Sequence, residues 1–189
     1  MKHLGTRTLR TDRLILRPFT VEDAPAMYAA WAGDPEVTRF LTWPTHGSEA
    51  VSRAVLTQWS ACYERDDWYL WAVALAEDPA APIGSISVVK QDERIGLAEV
   101  GYCIGRPWWR QGIMSEALAA VIDFLIRQVG CNRVQARHDP RNPNSGRVMR
   151  RCGMQYEGTL RQADWNNQGV CDEAMYSILA AEYRPVADR

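Results

Sequence analysis

The stretch from Glu99 to Leu118 carries residue types that could bind a phosphate group. A β-favouring run leads into a turn that contains Gly112, and an amphipathic helical pattern follows directly. The first backbone N–H groups of a helix have no intrahelical partner, and the helix dipole adds positive potential there. The amides from Gln111 to Ser115 could therefore hold a pyrophosphate without a charged side chain, and Gly112 would let the backbone approach it.

This turn differs from two common phosphate-binding loops. A Walker A loop needs Gly-Lys-Ser/Thr and a dinucleotide fingerprint needs three glycines at fixed spacing, and neither pattern occurs here. Nucleoside triphosphate and hydride chemistry therefore lose support. Taken alone, the turn could equally be a helix start that merely requires a glycine.

A second segment, Asn142 to Gly158, supplies a loop, a short helix and a strand that begins near Gly153. Together the two segments resemble the GCN5-related N-acetyltransferase (GNAT) superfamily, and within it the ribosomal-protein N-terminal acetyltransferases of the RimJ/RimL-like branch. That family's turn usually reads Gly-x-Gly-Φ-Ala-Thr-Glu-Ala, and residues 110–117 read Arg-Gln-Gly-Ile-Met-Ser-Glu-Ala. Its later signature, Asn-x-x-Ser followed by Gly-Phe-x-x-Glu-Gly, corresponds to residues 142–145 and 153–158.

The resemblance covers nearly the whole chain, residues 11–176, with departures at four positions. Arg110 replaces the first glycine, Met114 a small residue and Met154 an aromatic one, while Trp109 stands where the superfamily often has Gln or Arg. The loop would contact the cofactor mainly through backbone N–H groups. We therefore expect these changes to alter the shape of the pocket and to leave the identity of the cofactor unchanged.

The resemblance implies an α/β (α+β) fold, with a mixed, mostly antiparallel sheet of about six to seven strands that is flanked by helices and splayed between strands 4 and 5. It also implies acetyl-coenzyme A as the acyl donor and no metal. The pantetheine would lie in the splay like an added strand, near a backbone N–H around residues 102–104 that stabilises the developing oxyanion. The expected cofactor-binding residues are Tyr102, Cys103, Ile104, Trp109, Arg110, Gln111, Gly112, Ile113, Met114, Ser115, Asn142 and Ser145.

Some of these residues also have a purely structural interpretation. Cys103 and Ile104 could belong to the sheet core, and Asn142 could open an Asx turn instead of contacting the pantetheine. One or two arginines are expected to meet the phosphates of coenzyme A, although a surface arginine is the ordinary alternative for each. The candidates are Arg106, Arg110, Arg147 and Arg150.

Acetylation of an amine requires the removal of a proton from the ammonium group, so a base near the acceptor is expected. Glu99 is the first candidate, because it lies on the strand before the cofactor turn, where the family often places a base. A solvated glutamate on a strand face is the alternative. Glu157 and Asp172 are weaker candidates for the same role.

The departing coenzyme A thiolate needs a proton or a hydrogen bond. Ser145 could supply it, by resemblance to the serine of the family's Asn-x-x-Ser loop, or it could instead cap a helix. Tyr176 is a further candidate acid, and a core tyrosine is the alternative. Glu116 lies in the first turn of the cofactor helix, where the dipole favours an acidic residue, and we do not expect it to be catalytic.

The hydrophobic pattern predicts the elements that position these residues. Strands are expected over residues 9–16, 68–73, 83–89, 97–104, 133–138, 154–161 and 170–179. Helices are expected after Thr20, from Ser48, over 115–128 and over 143–151. Residues 76–82 are predicted to be a loop. A second predicted loop, 162–169, should set acceptor specificity together with residues 24–66, with Trp43, Trp59, Trp68 and Trp165 as candidate walls.

Length and composition limit the function further. A chain of 189 residues favours one domain over 1–189, and 22 basic against 23 acidic residues give a net charge of −1, which disfavours nucleic-acid and membrane partners. No segment resembles a signal peptide, so a cytoplasmic protein is expected. The five cysteines form no C-x-x-C pair and the three histidines are scattered, which predicts no metal site and no disulfide framework.

The leading hypothesis is an N-acetyltransferase that transfers an acetyl group from acetyl-coenzyme A to a primary amine by direct attack. The acceptor could be a protein N-terminal amine, as in the ribosomal-protein enzymes, or a small-molecule amine. The alternative is an acyl-coenzyme A-binding sensor that has the fold and no turnover. A monomer and a homodimer are both open.

Overall fold

The computed structural model describes residues 1–185, and its centre is one eight-stranded sheet in the order β1-β2-β3-β4-β5-β6-β8-β7. All neighbouring strands are antiparallel except β5 and β6, which are parallel. The strands are β1 (Leu9–Arg10), β2 (Leu14–Arg17), β3 (Leu70–Leu75), β4 (Asp78–Asp92), β5 (Leu97–Ile104), β6 (Arg133–His138), β7 (Gln155–Asn166) and β8 (Gly169–Leu179).

Five helices flank the sheet: α1 (Ala24–Met27), α2 (Pro35–Thr38), α3 (Glu49–Ser60), α4 (Ile113–Phe124) and α5 (Pro143–Arg151). A 3₁₀ turn leads into α1, and a π-helical turn continues each of α1 and α4. The N–H of Thr20 donates to Asp23 Oδ2 at 2.8 Å, so the predicted start of the first helix is confirmed. Among residues 1–185, the helices are all too short or too polar to cross a bilayer.

Two hydrophobic cores lie on opposite faces of the sheet. The larger core packs α4 and α5 against the sheet and includes Trp71, Phe124 and Val134. The smaller core packs α1 and α3 against β3 and β5 and includes Trp31 and Leu56. Because side chains alternate along a strand, neighbouring residues of β5 contribute to different cores, and polar residues of β5 can face either side.

The parallel pair β5 and β6 separates after a short contact. Leu97, Ala98 and Glu99 pair with residues 133–135, yet β5 continues to Ile104 and β6 to His138. On its other side β5 stays paired with β4 as far as Ile104. The gap therefore leaves backbone groups of β5 without a strand partner over residues 100–104. The fourth and fifth predicted strands are β5 and β6 of the structure, so this gap is the splay that the family resemblance implied.

Several sequence-based boundaries need correction: α4 begins at Ile113 and not at Ser115, β3 spans Leu70–Leu75 and not 68–73, and three further differences change the number or the connections of the elements. The predicted strand 9–16 is divided into β1 and β2 by a turn near Asp12, so the sheet has eight strands, slightly more than expected. The predicted loop 76–82 is wrong: a two-residue turn at Ala76 and Glu77 is enough, because residues 78–82 join β4 through an irregular bulge. The predicted loop 162–169 is likewise wrong, since β7 continues to Asn166 and only residues 167–168 form the turn.

Helix α5 approaches the sheet closely at Gly146. A Cβ atom at this position would lie 2.6 Å from His138 Nε2 and 3.3 Å from the Tyr176 hydroxyl. The His138 ring has little freedom to move away, because its Nδ1 lies 2.8 Å from the Asp139 carbonyl oxygen and its face packs on Tyr176. Glycine at this position therefore permits the helix to sit directly on β6 and β8.

We predict that Gly146→Ala lowers the free energy of unfolding by about 1–2 kcal/mol, because overpacking outweighs the gain in helix propensity. Urea unfolding followed by circular dichroism measures the change. In a His138→Ala background the penalty should vanish. An increase in stability on the wild-type background, as helix propensity alone would give, would contradict this packing.

Candidate active site

A groove of about 510 Å³ opens where β5 and β6 separate. Its walls come from the end of β5, the turn before α4, the start of α5 and the segment around α2. All the predicted cofactor-binding residues except Gln111 line it: Tyr102, Cys103, Ile104, Trp109, Arg110, Gly112, Ile113, Met114, Ser115, Asn142 and Ser145. The Gln111 side chain instead donates to the Pro107 carbonyl at 2.7 Å.

A second, larger hollow of about 730 Å³ lies behind Trp108. Its lining is mainly alanine, proline and aliphatic side chains, and the Arg106–Asp34 ion pair lies at its edge, with 2.5 Å between Nε and Oδ2. The groove at the splay, by contrast, joins a helix N-terminus to several cationic side chains. The groove is therefore the better candidate for a phosphate-bearing ligand.

The start of α4 supplies backbone donors to the groove. The first hydrogen bond within the helix runs from the Glu116 N–H to the Gly112 carbonyl at 3.0 Å, so the N–H groups of residues 113–115 come too early in the helix to join its ladder. Gly112 has φ of +77° and Arg110 has φ of +63°. These two left-handed residues fold the turn back on itself, and the amides of the first helical turn line the groove.

Glu116 fixes this turn to the N-terminal strands. Its carboxylate accepts from the Thr11 hydroxyl at 2.6 Å, from the Arg13 N–H at 3.0 Å and from Arg13 Nε at 2.7 Å. Burial would raise the pKa of Glu116, and these hydrogen bonds outweigh burial and lower it. Glu116 thus holds the turn before α4 in place through its contacts with Thr11 and Arg13.

Five arginines line the groove: Arg39, Arg110, Arg141, Arg147 and Arg151. Only Arg110 and Arg147 are among the candidates named from sequence, because Arg106 pairs with Asp34 and Arg150 donates to the Tyr176 hydroxyl at 3.1 Å. Arg141 could have been found from its place beside Asn142. Arg39 carries no sequence signal, because the fold alone brings the segment after α2 to this groove.

Tyr102 and Ser145 connect the two sides of the groove. The Tyr102 hydroxyl donates to the Ser145 carbonyl at 2.9 Å, and the Ser145 hydroxyl lies 3.1 Å from that of Tyr102. Burial raises the pKa of Tyr102, so its hydroxyl stays protonated. Ser145 is not the helix cap, because α5 begins at Pro143 and Asn142 holds the capping position. Ser145 therefore lines the groove wall with its hydroxyl donating to that of Tyr102.

Cys103 lies on the same strand and also lines the groove. Burial raises the pKa of its thiol to about 11, and its sulfur lies 3.3 Å from the Ser85 hydroxyl. A thiol in this environment stays protonated near neutral pH and is a poor nucleophile. The site therefore favours direct attack by the acceptor over a cysteine-bound acyl group.

Glu99 lies outside the groove lining, at the last paired position of β5 and β6. Its side chain is buried, with Gln135 Nε2 donating to one carboxylate oxygen at 2.7 Å and Arg137 Nε lying 3.0 Å from the other. It is therefore not the solvated strand-face glutamate of the alternative interpretation. The gap between the strands begins directly after it.

The remaining catalytic candidates lie farther from the groove. Tyr176 is buried behind α5 against His138, and Glu157 pairs with Arg133. Hydrogen bonds from Arg133 and the Ser177 hydroxyl lower the pKa of Glu157 to about 2, which makes it a weak base. Asp172 accepts from the backbone N–H of Gln162 on the β7–β8 hairpin.

Asp139 holds one wall of the groove in place. Arg141 Nη2 lies 2.6 Å from Asp139 Oδ2, and Asn166 Nδ2 donates to the same oxygen at 2.9 Å, which ties the β7–β8 hairpin to the loop before α5. Burial alone would raise the pKa of Asp139. The hydrogen bonds from Arg141 and Asn166 outweigh it and lower the pKa to about 2.

Comparison with known proteins agrees with this geometry. A model of the acetyltransferase (GNAT) domain family matches residues 13–155, and the chain belongs to that family. The N-acetyltransferase YoaA of Bacillus subtilis, itself uncharacterized, is 32% identical over 173 residues, which is 90% of this chain and 96% of YoaA. The [ribosomal protein uS5]-alanine N-acetyltransferase of Escherichia coli is 39% identical over 59 residues, 31% of this chain and 30% of that enzyme.

A solved structure shows the same fold. The ribosomal-protein acetyltransferase RimL in complex with coenzyme A superposes with a TM-score of 0.80 at 21% identity, over 92% of this chain and 98% of that chain. The protein is thus an acetyl-coenzyme A-dependent acyltransferase of the GNAT family. Among residues 1–185, no group of three or more His, Cys, Asp or Glu side chains is arranged so that it could hold a metal ion.

The left-handed conformation of Arg110 generates one prediction. We expect Arg110→Gly to leave the free energy of unfolding unchanged or to raise it by up to about 1 kcal/mol, because a glycine is unstrained at this φ. Affinity for coenzyme A should fall about threefold to tenfold, because one groove cation is lost. Urea unfolding and calorimetric titration give the two values, and a fall in stability beyond about 1 kcal/mol would contradict the assignment of strain.

The ion pair between Asp139 and Arg141 leads to a second prediction, which concerns the pH dependence of the free energy of unfolding. The pKa of this carboxyl in the folded chain lies below the unfolded value of about 3.9, so its ionised form adds stability above about pH 4 that is lost as the pH falls towards 2. Asp139→Asn should therefore flatten the decline of the free energy of unfolding between pH 5 and pH 2.5. Urea unfolding across this range tests it, and parallel curves for the two proteins would refute it.

Proposed function

We propose that the protein transfers the acetyl group of acetyl-coenzyme A to a primary amine by direct attack, without a covalent enzyme intermediate. The observation that carries this proposal is the convergence of free helix amides and cationic side chains in the groove at the parting of β5 and β6. Acetyl-coenzyme A, when bound, supplies an activated acetyl thioester. The protein's residues would bind it, orient it and move protons around it.

The residues present fit such a ligand. The N–H groups of residues 113–115 would bind the pyrophosphate, with the arginines of the groove supplying further positive charge for phosphate oxygens. The backbone of β5 beyond Glu99 has no strand partner on the side of the gap, so it would pair with the amides of the pantetheine arm. Asn142, on the facing wall, can donate and accept at once, which suits an amide.

We assign proton removal from the acceptor to Glu99. Its carboxylate is buried at the start of the gap, and one of its oxygens lies 3.0 Å from Arg137 Nε. A water molecule would carry the proton from the amine to this carboxylate when the two are not in direct contact. Glu157 and Asp172 are less suited, because they lie on β7 and β8 and not at the start of the gap, and hydrogen bonds lower the pKa of Glu157 to about 2.

We assign protonation of the departing thiolate to Ser145, whose hydroxyl lines the groove and lies within hydrogen-bonding distance of the Tyr102 hydroxyl. Ser145 would recover its proton from water in the groove, because the Tyr102 hydroxyl donates to the Ser145 carbonyl and burial keeps it protonated. Tyr176 remains a second candidate acid. Its burial behind α5 and its hydrogen bond from Arg150 make a structural role the simpler explanation of its position.

A protein N-terminal amine is the first acceptor to test, because one relative is named a [ribosomal protein uS5]-alanine N-acetyltransferase. A small-molecule amine is the other acceptor class to test. Either acceptor is consistent with a cytoplasmic enzyme acting as a monomer or homodimer. The alternative, a silent acyl-coenzyme A sensor, would bind the donor and acetylate neither class.

We predict that the protein releases free thiol from acetyl-coenzyme A in the presence of an N-terminal peptide or a small primary amine, and that Glu99→Gln lowers kcat by about 10²-fold or more. The exposed Glu77→Gln is the matched control and should retain wild-type turnover. Thiol release with mass spectrometry of the acceptor gives the readout. Calorimetric binding of acetyl-coenzyme A without acetylation of any amine would instead identify a sensor.

A further inference from the structure

One guanidinium, that of Arg137 on β6, holds carboxylates from three other strands. Its Nε lies 3.0 Å from Glu99 Oε1 on β5, and its Nη1 lies 3.3 Å from both Asp164 Oδ2 on β7 and Glu173 Oε1 on β8. Arginine presents several N–H donors in a rigid planar fork, so it can serve several acceptors at once. Through these contacts, Arg137 links β6, β7 and β8, the strands beyond the splay, to β5.

The carboxylate of Glu99 is held at both oxygens. Arg137 takes one oxygen, and Gln135 Nε2 donates to the other at 2.7 Å. Gln135 is itself fixed, because its amide oxygen accepts from Arg133 Nε at 2.9 Å. Glu99 thus has its orientation set by two side chains of β6, directly before that strand leaves β5.

The balance of charge around Glu99 depends on Arg137. Gln135 and Arg137 of β6 contact Glu99 directly. Asp164 and Glu173 contact the same Arg137 guanidinium. The exposed Lys90 is the residue opposite Glu99 on β4. Three neighbouring carboxylates would repel one another without the guanidinium, and like charge favours proton uptake. Arg137 therefore supplies the positive charge that offsets these three carboxylates.

We propose that Arg137 is a positioning residue for acetyl transfer: it orients the Glu99 carboxylate at the mouth of the splay and offsets the negative charge of the carboxylates around it. This inference rests on the proposed role of Glu99 as base. Arg137 acts through Glu99 and lies outside the lining of the cofactor groove, so its loss should alter catalysis while the binding of acetyl-coenzyme A is retained.

The test compares Arg137→Gln, Arg137→Lys and Arg127→Gln with the wild-type enzyme. Arg127 is the matched control, since it also forms an ion pair, with Asp123, near the end of α4. We expect Arg137→Gln to lower kcat at pH 7 by about 10–100-fold and to move the acidic limb of the kcat/KM profile up by about one pH unit. Lysine keeps the positive charge but lacks the planar set of donors of the guanidinium. Arg137→Lys should therefore retain the acidic limb of the wild-type kcat/KM profile, with a kcat between those of the wild type and Arg137→Gln.

The calorimetric Kd for acetyl-coenzyme A serves as the control for correct folding. It should stay within threefold of the wild-type value in every variant. A purely structural role for Arg137 would weaken cofactor binding or lower kcat without moving the acidic limb. A folded Arg137→Gln variant with the wild-type pH profile and a kcat within threefold of wild type overturns the proposal.

A second readout separates this inference from the proposed function. If the wild-type protein acetylates no amine, the proposed function fails, and the carboxyl ¹³C signal of Glu99, assigned with Glu99→Gln, still reports on Arg137. Titration of that signal at higher pH in Arg137→Gln than in wild type supports control of the carboxylate by Arg137. Identical titration curves in the two proteins overturn it.

Discussion

The site depends on one constraint, which is that β5 pairs with β6 over three residues and then parts from it. A parallel pair that continued to Ile104 would close the groove and bury the backbone groups of β5 in a ladder. Tyr102 stands in the opening and reaches Ser145 on α5, so the two sides remain connected where the backbone bonds end. The sheet of this chain thus has a gap between β5 and β6, although its strands form one continuous order.

The separation of β5 and β6 also places groups of opposite charge on its two sides. On one side, the turn before α4 aims unpaired amides into the groove, with Glu116 and Arg13 fixing the turn to the N-terminal strands. On the other side, Arg137 gathers the carboxylates of β5, β7 and β8. Positive potential at the start of α4 and a cluster of carboxylates around Arg137 thus lie on either side of the point where the strands separate.

The sequence predicts the groove better than its surroundings. Glycine at 112 and the helical pattern after it are local signals, and they correctly place the amide donors at the start of α4. The burial of Glu99 and its contact with Arg137 depend on pairing between strands 36 positions apart in sequence, which no local pattern encodes. Arg39 reaches the groove for the same reason, through packing of the segment around α2. Prolines at 79 and 82 suggested a loop, and the irregular bulge in β4 accommodates them within a strand.

The central claim is that acetyl-coenzyme A binds in the splay between β5 and β6, and hydrogen exchange of the free and acetyl-coenzyme A-bound protein tests it most directly. Exchange should slow at the amides of residues 102–104 and 112–115, with little change in α3, which packs on the opposite face of the sheet from α4 and α5. Binding that leaves both of these segments unprotected, or that protects the hollow behind Trp108 instead, would contradict the account.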